Sequence, residues 1–356
     1  MIRAKFILSN YANTRFIKTG RKSGNATYFY KNDKQYMITR ETNYVYGKYP
    51  DNSIKMYLEN DGTNTFHSHE ALYEIVNNEA NFVKYLTYSI DRDCGFEDPR
   101  CVTWNNVTYL MTNRRNLSNF NNVQMHIGVI DDNLEYINDT ILKSYNTIEK
   151  NWQPITDKPG ICIYAHDELA LIDVFKNVKL QDKFAKSAAL CGSSQIVKVN
   201  DKYISVCHVR NEAFEYLHYF VMYDEHMNIL EISDPFSFYG ANVEFNNHLE
   251  YSDNTYKLLV SIHDQILYEF TLTEVLMSDI FKHVCDNCTQ RINTFTEFYN
   301  NALCNNNEFA ALGFATFSKD KSIIADAAVR DSIIAHFRYP YQNIFRQVML
   351  QHYKEL

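Results

Sequence analysis

The segment Thr27-Tyr28-Phe29-Tyr30-Lys31-Asn32-Asp33-Lys34-Gln35-Tyr36-Met37-Ile38-Thr39-Arg40 reads as two β-rich runs around a polar turn. The same arrangement returns four more times. Cys101-Val102-Thr103-Trp104 and Val107-Thr108-Tyr109-Leu110-Met111-Thr112 flank Asn105-Asn106. Ile161-Cys162-Ile163-Tyr164 and Leu169-Ala170-Leu171-Ile172 flank Ala165-His166-Asp167-Glu168. Gln195–Val199 and Lys202–Val206 flank Asn200-Asp201, and His248–Tyr251 and Tyr256–Val260 flank Ser252-Asp253-Asn254-Thr255. Asn and Asp favour such turns because they tolerate positive φ. One hairpin cannot bury its own apolar face, but five arranged radially can.

Anchored on Tyr36, Tyr109, Leu169, Tyr203 and Tyr256, the intervals are 73, 60, 34 and 53 residues. They leave room for four-stranded blades, tightly so at 34. The expectation is an all-β chain, a five-bladed β-propeller over residues 1–272, with a β-sandwich or α+β domain as the alternative. From about Glu274 the apolar spacing turns helical, through Val275-Leu276, Ile280-Phe281, Ile323-Ile324, Ala327-Ala328 and Ile333-Ile334. Residues 273–356 are therefore expected to form a mostly helical C-terminal extension.

Composition supports a β-rich globular protein. The chain has 356 residues, 46% of them hydrophobic, with 27 Tyr and 23 Phe against 2 Trp; Tyr and Phe suit half-buried pleated surfaces. Disorder and low-complexity architectures are excluded as the main state. A formal net charge of −8 argues against binding to a nucleic-acid backbone. No stretch is apolar for long enough to span a bilayer, and the N-terminal apolar run is too short for a signal peptide. Eight scattered Cys do not form a disulfide framework in a chain of this length, which reads as a reducing, cytoplasmic setting. Cys285-Asp286-Asn287-Cys288 has zinc-like spacing but lacks a second pair. No metal and no cofactor is expected.

Polar and charged residues flank the hairpins at similar positions. Arg40, Asn43 and Tyr44 follow the first. Glu97-Asp98-Pro99-Arg100 precedes the second, and Asn113-Arg114-Arg115 follows it. Glu149-Lys150-Asn151-Trp152 precedes the third. Gly192-Ser193-Ser194 precedes the fourth, which His208 follows, and Asn242-Val243-Glu244-Phe245 precedes the fifth, which His263-Asp264 follows. In a radial arrangement these positions converge on the central axis. Such a funnel of carboxylates, cations and imidazoles suits a polyhydroxylated ligand carrying an anionic group.

These segments, together with Gly24-Asn25-Ala26-Thr27, Arg40-Glu41-Thr42-Asn43-Tyr44, Tyr216-Leu217-His218 and Ser233-Asp234-Pro235-Phe236, follow an order that resembles one known clan. It is the five-bladed propellers of glycoside hydrolase family 130, the β-mannoside phosphorylases, and of the related glycosyltransferase family 108, the β-mannosyltransferases. The resemblance spans about residues 24 to 270. It implies an inverting single displacement at a sugar anomeric carbon, with Asp98 as the proton-transferring acid or base. It further implies substrate binding by Asn25, Arg40, Asn43, Arg100, Lys150, Asn151, His208, Glu244 and Asp264. The implied partners are a sugar donor, either a nucleotide sugar or a sugar 1-phosphate, and a glycan acceptor.

One departure bears on the reaction. The clan's phosphorylases carry a basic residue just before the Gly-rich segment ahead of the fourth hairpin, whereas Ser187-Ala188-Ala189-Leu190-Cys191 has none. The first expectation is accordingly an inverting glycosyltransferase of β-mannosyl type. The alternatives are a glycoside phosphorylase or hydrolase of the same fold, and a non-catalytic propeller that binds glycan or protein. A second carboxylate near Asp98, from Asp264 or Glu244, would suit hydrolysis.

Overall fold

The computed structural model describes residues 12–19, 22–48, 54–58, 68–77, 79–86, 96–116, 119–145, 148–165, 169–182, 191–210, 216–233, 238, 243–262 and 264–281. It opens with β1 (Ala12–Phe16). The first blade holds β2 (Ser23–Lys31), β3 (Lys34–Thr42), β6 (Ser68–Val76) and β7 (Glu79–Tyr85), and a separate hairpin, β4 (Tyr44–Lys48) with β5 (Ile54–Leu58), is inserted after β3. The second blade is β8 (Phe96–Trp104), β9 (Val107–Asn116), β10 (Asn119–Ile130) and β11 (Tyr136–Ile141). The third is β12 (Gln153–Pro154), β13 (Ile161–Ala165), β14 (Leu169–Asp173) and β15 (Val178–Asp182). The fourth begins with the short β16 (Cys191–Gly192) and β17 (Val197–Val199), both paired to β18 (Lys202–Arg210), and continues through β19 (Tyr216–Tyr223) and β20 (Ile229–Ile232). The fifth is β21 (Glu244–Ser252), β22 (Thr255–Ile262) and β23 (Ile266–Thr273), with β1 as its outermost strand.

The chain is therefore a five-bladed β-propeller whose last blade is completed by its first strand. β1 runs antiparallel to β23 from Ala12↔Leu272 to Phe16↔Tyr268. Arg15 Nε meets Glu269 Oε1 at 2.8 Å, and the Tyr28 hydroxyl of the first blade donates to Glu269 Oε2 at 2.9 Å. Cores lie between neighbouring blades. Phe29, Tyr36, Ile38 and Leu72 pack with Cys101, Leu110, Ile130 and Tyr136 between blades one and two. Trp104, Met111 and Ile127 meet Trp152, Tyr164 and Ile172 between two and three. Val206, Phe220 and Met222 meet Leu258, Val260 and Phe270 between four and five, and Tyr28, Met37 and Tyr73 meet Leu259 and Leu267 where the ring closes. Each blade has an apolar neighbour on both sides only when the ring is complete, which is why recurrence of the hairpin specifies closure.

The hairpin turns show why the sequence pattern is legible. Asn32 and Asp33 (φ 51° and 58°), Asn105 and Asn106 (51° and 62°), and Asp253 and Asn254 (50° and 58°) all adopt left-handed backbone. That is the two-residue turn whose twist matches antiparallel strands. In blades one, two, four and five the expected hairpin joins the innermost strand to the second. In blade three it joins the second strand to the third, β13 to β14, because the innermost strand β12 has only two residues. Ile155 donates to the Ile161 carbonyl at 3.0 Å and Gly160 (φ 76°) completes a longer inner turn. The short interval between Leu169 and Tyr203 follows from this displacement by one strand.

α1 (Glu274–Phe281) starts where the helical spacing begins, and Met277 and Phe281 join the core of the last blade. The remainder of the expected helical extension, with Cys285 and Cys288, lies outside the described residues, as do Ser187–Leu190 and His263.

Candidate active site

An antiparallel pair brings the beginning of one strand beside the end of the next. Gly24 pairs with Arg40, Glu97 with Asn113, Cys191 with His208, and Glu244 with Ile262. The start of each innermost strand and the end of each second strand thus share one end of the propeller axis. A simple offset marks the second-strand members. Arg40, Asn113, His208 and Ser261 each stand seven residues after the last residue of their Asn/Asp turn, at Asp33, Asn106, Asp201 and Asn254.

Asp98 sits in a bulge of β8, between Glu97 and Arg100, with φ 55°. Left-handed backbone costs an Asp less than most residues. The bulge aims its carboxylate across the junction with the first blade. Asn25 Nδ2 donates to Oδ1 at 2.6 Å, and Asn113 Nδ2 donates to Oδ2 at 3.2 Å. Each oxygen is thereby fixed by one amide and retains a second lone pair. Asn25 is itself held, since the Ser261 hydroxyl donates to its Oδ1 at 2.5 Å.

Arg100 is fully buried beneath Asp98. Its Nε donates to the Ser193 carbonyl at 2.7 Å, its Nη1 to the Asp98 carbonyl at 3.0 Å, and its guanidinium lies 6.0 Å from the Phe245 ring centroid. Burial lowers its pKa, opposed chiefly by the Asp98 charge. Blades two, four and five meet at this one side chain. Next to it, Ser193 Oγ is 2.8 Å from His208 Nδ1, and the His208 ring packs edge-on to Phe245 at 4.9 Å.

Arg40 closes the other side. Its Nη2 donates to Glu97 Oε1 at 2.9 Å and to the Tyr44 hydroxyl at 2.7 Å, and its Nη1 lies 3.6 Å from Asp264 Oδ2. Burial alone would depress this guanidinium, but Glu97, Tyr44, Asp264 and Asp98 outweigh it and raise the pKa well above the ordinary value. Gly24 is required here, because a Cβ at that position would stand 2.6 Å from the Asp264 backbone.

The structure thus links Asn25, Asp98 and Arg100, and His208 through Ser193, by hydrogen bonds, and sets the Arg40–Asp264 pair beside them through Glu97, the neighbour of Asp98 in β8. Asn151 is buried at φ 65°, and its carbonyl backs onto Gly192, where any side chain would collide with it. Glu244 is fully buried, and Oε1 accepts the Phe238 amide at 2.8 Å. His218 lies 3.8 Å from that oxygen, and burial pushes its pKa down to about 3, so it is neutral at ordinary pH. Asn43, just after β3, is buried and Lys150, just before β12, is half-buried. Among the described residues, no three His, Cys, Asp or Glu side chains cluster as metal ligands. The sequence reading placed Asn113 and Ser193 among the hairpin-flanking residues without giving either a role, and it missed Ser261. For Asn113 and Ser261 the offset of seven from the turn was a usable signal.

The chain is a closed five-bladed propeller whose inner strand ends gather carboxylates, amides and cations at one pole. Solved structures share the fold. β-1,2-Mannobiose phosphorylase from Listeria innocua superposes with a TM-score of 0.54 at 10% identity, covering 75% of this chain and 93% of the other. A glycosyl hydrolase from Bacteroides ovatus gives 0.51 at 11% identity, covering 70% and 84%. A structure from the glycoside hydrolase family 130 of mannoside phosphorylases, which contains glycoside hydrolases that target β-1,2 mannosidic linkages in Candida mannan, gives 0.51 at 11% identity, with the same coverages. The chain has the propeller arrangement of these proteins, and at such identities the likeness is one of fold. No protein-family model and no curated protein sequence matches the chain. No helix among the described residues is long and apolar enough to cross a membrane.

Proposed function

We propose that the protein acts at the anomeric carbon of a β-mannoside by inverting displacement, cleaving the glycosidic bond with Asp98 as the proton-transferring group. The observation that carries this reading is the Asp98 carboxylate, held by Asn25 and Asn113 at the pole where the inner strand ends gather. Fixed orientation of a proton-transferring group is a large part of what such a site contributes. As the bond from carbon to the leaving oxygen breaks, that oxygen takes the proton, and the nucleophile joins the opposite face of the sugar. Phosphate as nucleophile yields a sugar 1-phosphate. Water yields the free sugar and needs a second carboxylate to take its proton. Asp264, engaged by Arg40, is the candidate for that base. Arg40, Asn43, Lys150, Asn151, His208 and Glu244 shape the pocket around the sugar hydroxyls and any phosphate.

A second reading rests on Ser187–Cys191, which lacks the basic residue of the clan's phosphorylases. It favours a β-mannosyltransferase whose donor is a nucleotide sugar. Incubation with β-1,2-mannobiose, with and without phosphate, and separately with nucleotide sugars plus mannoside acceptors, decides between them. Cleavage of the disaccharide that is lost in Asp98→Asn supports the first reading. Turnover confined to nucleotide sugars supports the second, and glycan binding without turnover of any of these overturns both.

A further inference from the structure

Asp98 belongs to the second blade, Asn25 to the first and Ser261 to the fifth, yet the three form one hydrogen-bonded relay. Asp98 Oδ1 accepts Asn25 Nδ2 at 2.6 Å, and Asn25 Oδ1 accepts the Ser261 hydroxyl at 2.5 Å. An amide is asymmetric. One end only donates and the other only accepts. A carboxylate at one end demands the NH2 group, which leaves a buried carbonyl oxygen pointing toward the last blade. Asn25 is 4% exposed and Ser261 1% exposed, so water does not readily satisfy that oxygen. Ser261 satisfies it with a donor that has free rotation.

Asn25 is itself the extra residue of the bulge between Gly24 and Ala26, with left-handed backbone at φ 37°. Its side-chain direction is thus not set by a regular strand. The other end of the relay is anchored firmly. Ser261 lies in β22, opposite Leu267 of β23, and β23 is the strand that β1 pairs with to close the ring. Ser261 also occupies the offset that places Arg40, Asn113 and His208 in the site, seven residues after its turn.

We infer that Ser261 is a positioning residue for Asp98, acting through Asn25: its hydroxyl locks the amide so that the NH2 group faces the carboxylate. Ring closure in the fifth blade thereby sets the direction of the carboxylate in the second. The catalytic consequence rests on the role proposed for Asp98, whereas the amide lock itself does not.

The test compares the full-length wild type with Ser261→Ala and Ser261→Thr. The side-chain amide protons of Asn25, assigned through Asn25→Ser, are followed by nitrogen-edited NMR, and kcat and KM are measured on β-1,2-mannobiose. In Ser261→Ala the two amide resonances should move, and kcat should fall by about tenfold or more at nearly constant KM, since small misplacements of a reacting group are costly. Ser261→Thr, which keeps the hydroxyl, should restore the resonances. Wild-type amide resonances in Ser261→Ala overturn the inference, and so does a kcat within about twofold of wild type in a protein that cleaves the substrate. If the wild type cleaves no mannoside, the functional reading falls while the amide resonances still decide the lock.

Discussion

Arg40 and Asp264 face each other across the seam where the ring of blades closes, with Nη1 and Oδ2 3.6 Å apart and both side chains 7% exposed. The same guanidinium donates to Glu97 of the second blade. One cation therefore serves carboxylates of two blades, neither of which is its own. Its removal leaves Asp264 buried and without this counter-charge. Arg40→Met should cost about 3–5 kcal/mol of stability, the usual cost of breaking a buried ion pair from one side. Arg40→Lys should lose less but not recover, because an ammonium cannot present the two-pronged fork that reaches Glu97 and Asp264 together. Urea unfolding midpoints check this, and an Arg40→Met midpoint equal to wild type would refute it.

Gly24 stands at the same seam. The Cβ of an alanine at this position would lie 2.6 Å from the Asp264 Cα and carbonyl carbon, which are backbone and cannot rotate away. Gly24→Ala should therefore destabilise by about 1–3 kcal/mol, as overpacking does. It should also lower activity more than a distant mutation of equal destabilisation, since it displaces Asp264 and with it Arg40. Comparing residual activity at matched stability with a substitution on the outer strand β11, such as Ile141→Thr, separates the two effects.

Asn113 offers a sharper probe of the Asp98 carboxylate. Its amide is fully buried and donates to Oδ2 at 3.2 Å. Asn113→Ala should reduce turnover about tenfold by freeing the carboxylate to rotate. Asn113→Asp should be worse, because it sets a second carboxylate against the first, and two like charges at that distance cannot both remain ionised. Steady-state rates on β-1,2-mannobiose at a series of pH values test the pair. Equal rates for the two variants would show that Asn113 acts only through packing.

The hairpins were legible in the sequence because Asn-rich turns and alternating aromatics are local signals, and four of the five fall on the first and second strands of a blade. The third was displaced by one strand because Gln153-Pro154 is too short to read as a strand at all. The pairing of β1 with β23 was not legible, since nothing local in Ala12–Phe16 names a partner more than 250 residues away. Site residues divide the same way. Asp98, Arg40 and His208 carry charge or imidazole and invite attention, whereas Asn113 and Ser261 are an amide and a hydroxyl of the commonest kind. Asn113 matters through the bulge that turns Asp98 toward it within one blade, and Ser261 through Asn25, a contact that only the closed ring creates.

His218 gives a prediction about acid. It is fully buried beside Phe238, with ring centroids 4.8 Å apart, and burial pushes its pKa down to about 3, partly offset by a hydrogen bond with the Glu244 backbone. In the unfolded chain it takes a proton near the ordinary histidine value of about 6.5. Between these two values the unfolded state binds a proton that the folded state refuses, so stability falls as pH falls through that window and is fully present above it. The contribution is on the order of a few kcal/mol, less whatever the folded state recovers by local relaxation. His218→Gln, which cannot be protonated there, should flatten the decline in urea midpoint between pH 6.5 and pH 4 relative to wild type. Parallel declines in the two proteins would assign the acid sensitivity to the carboxylates around Arg40 instead.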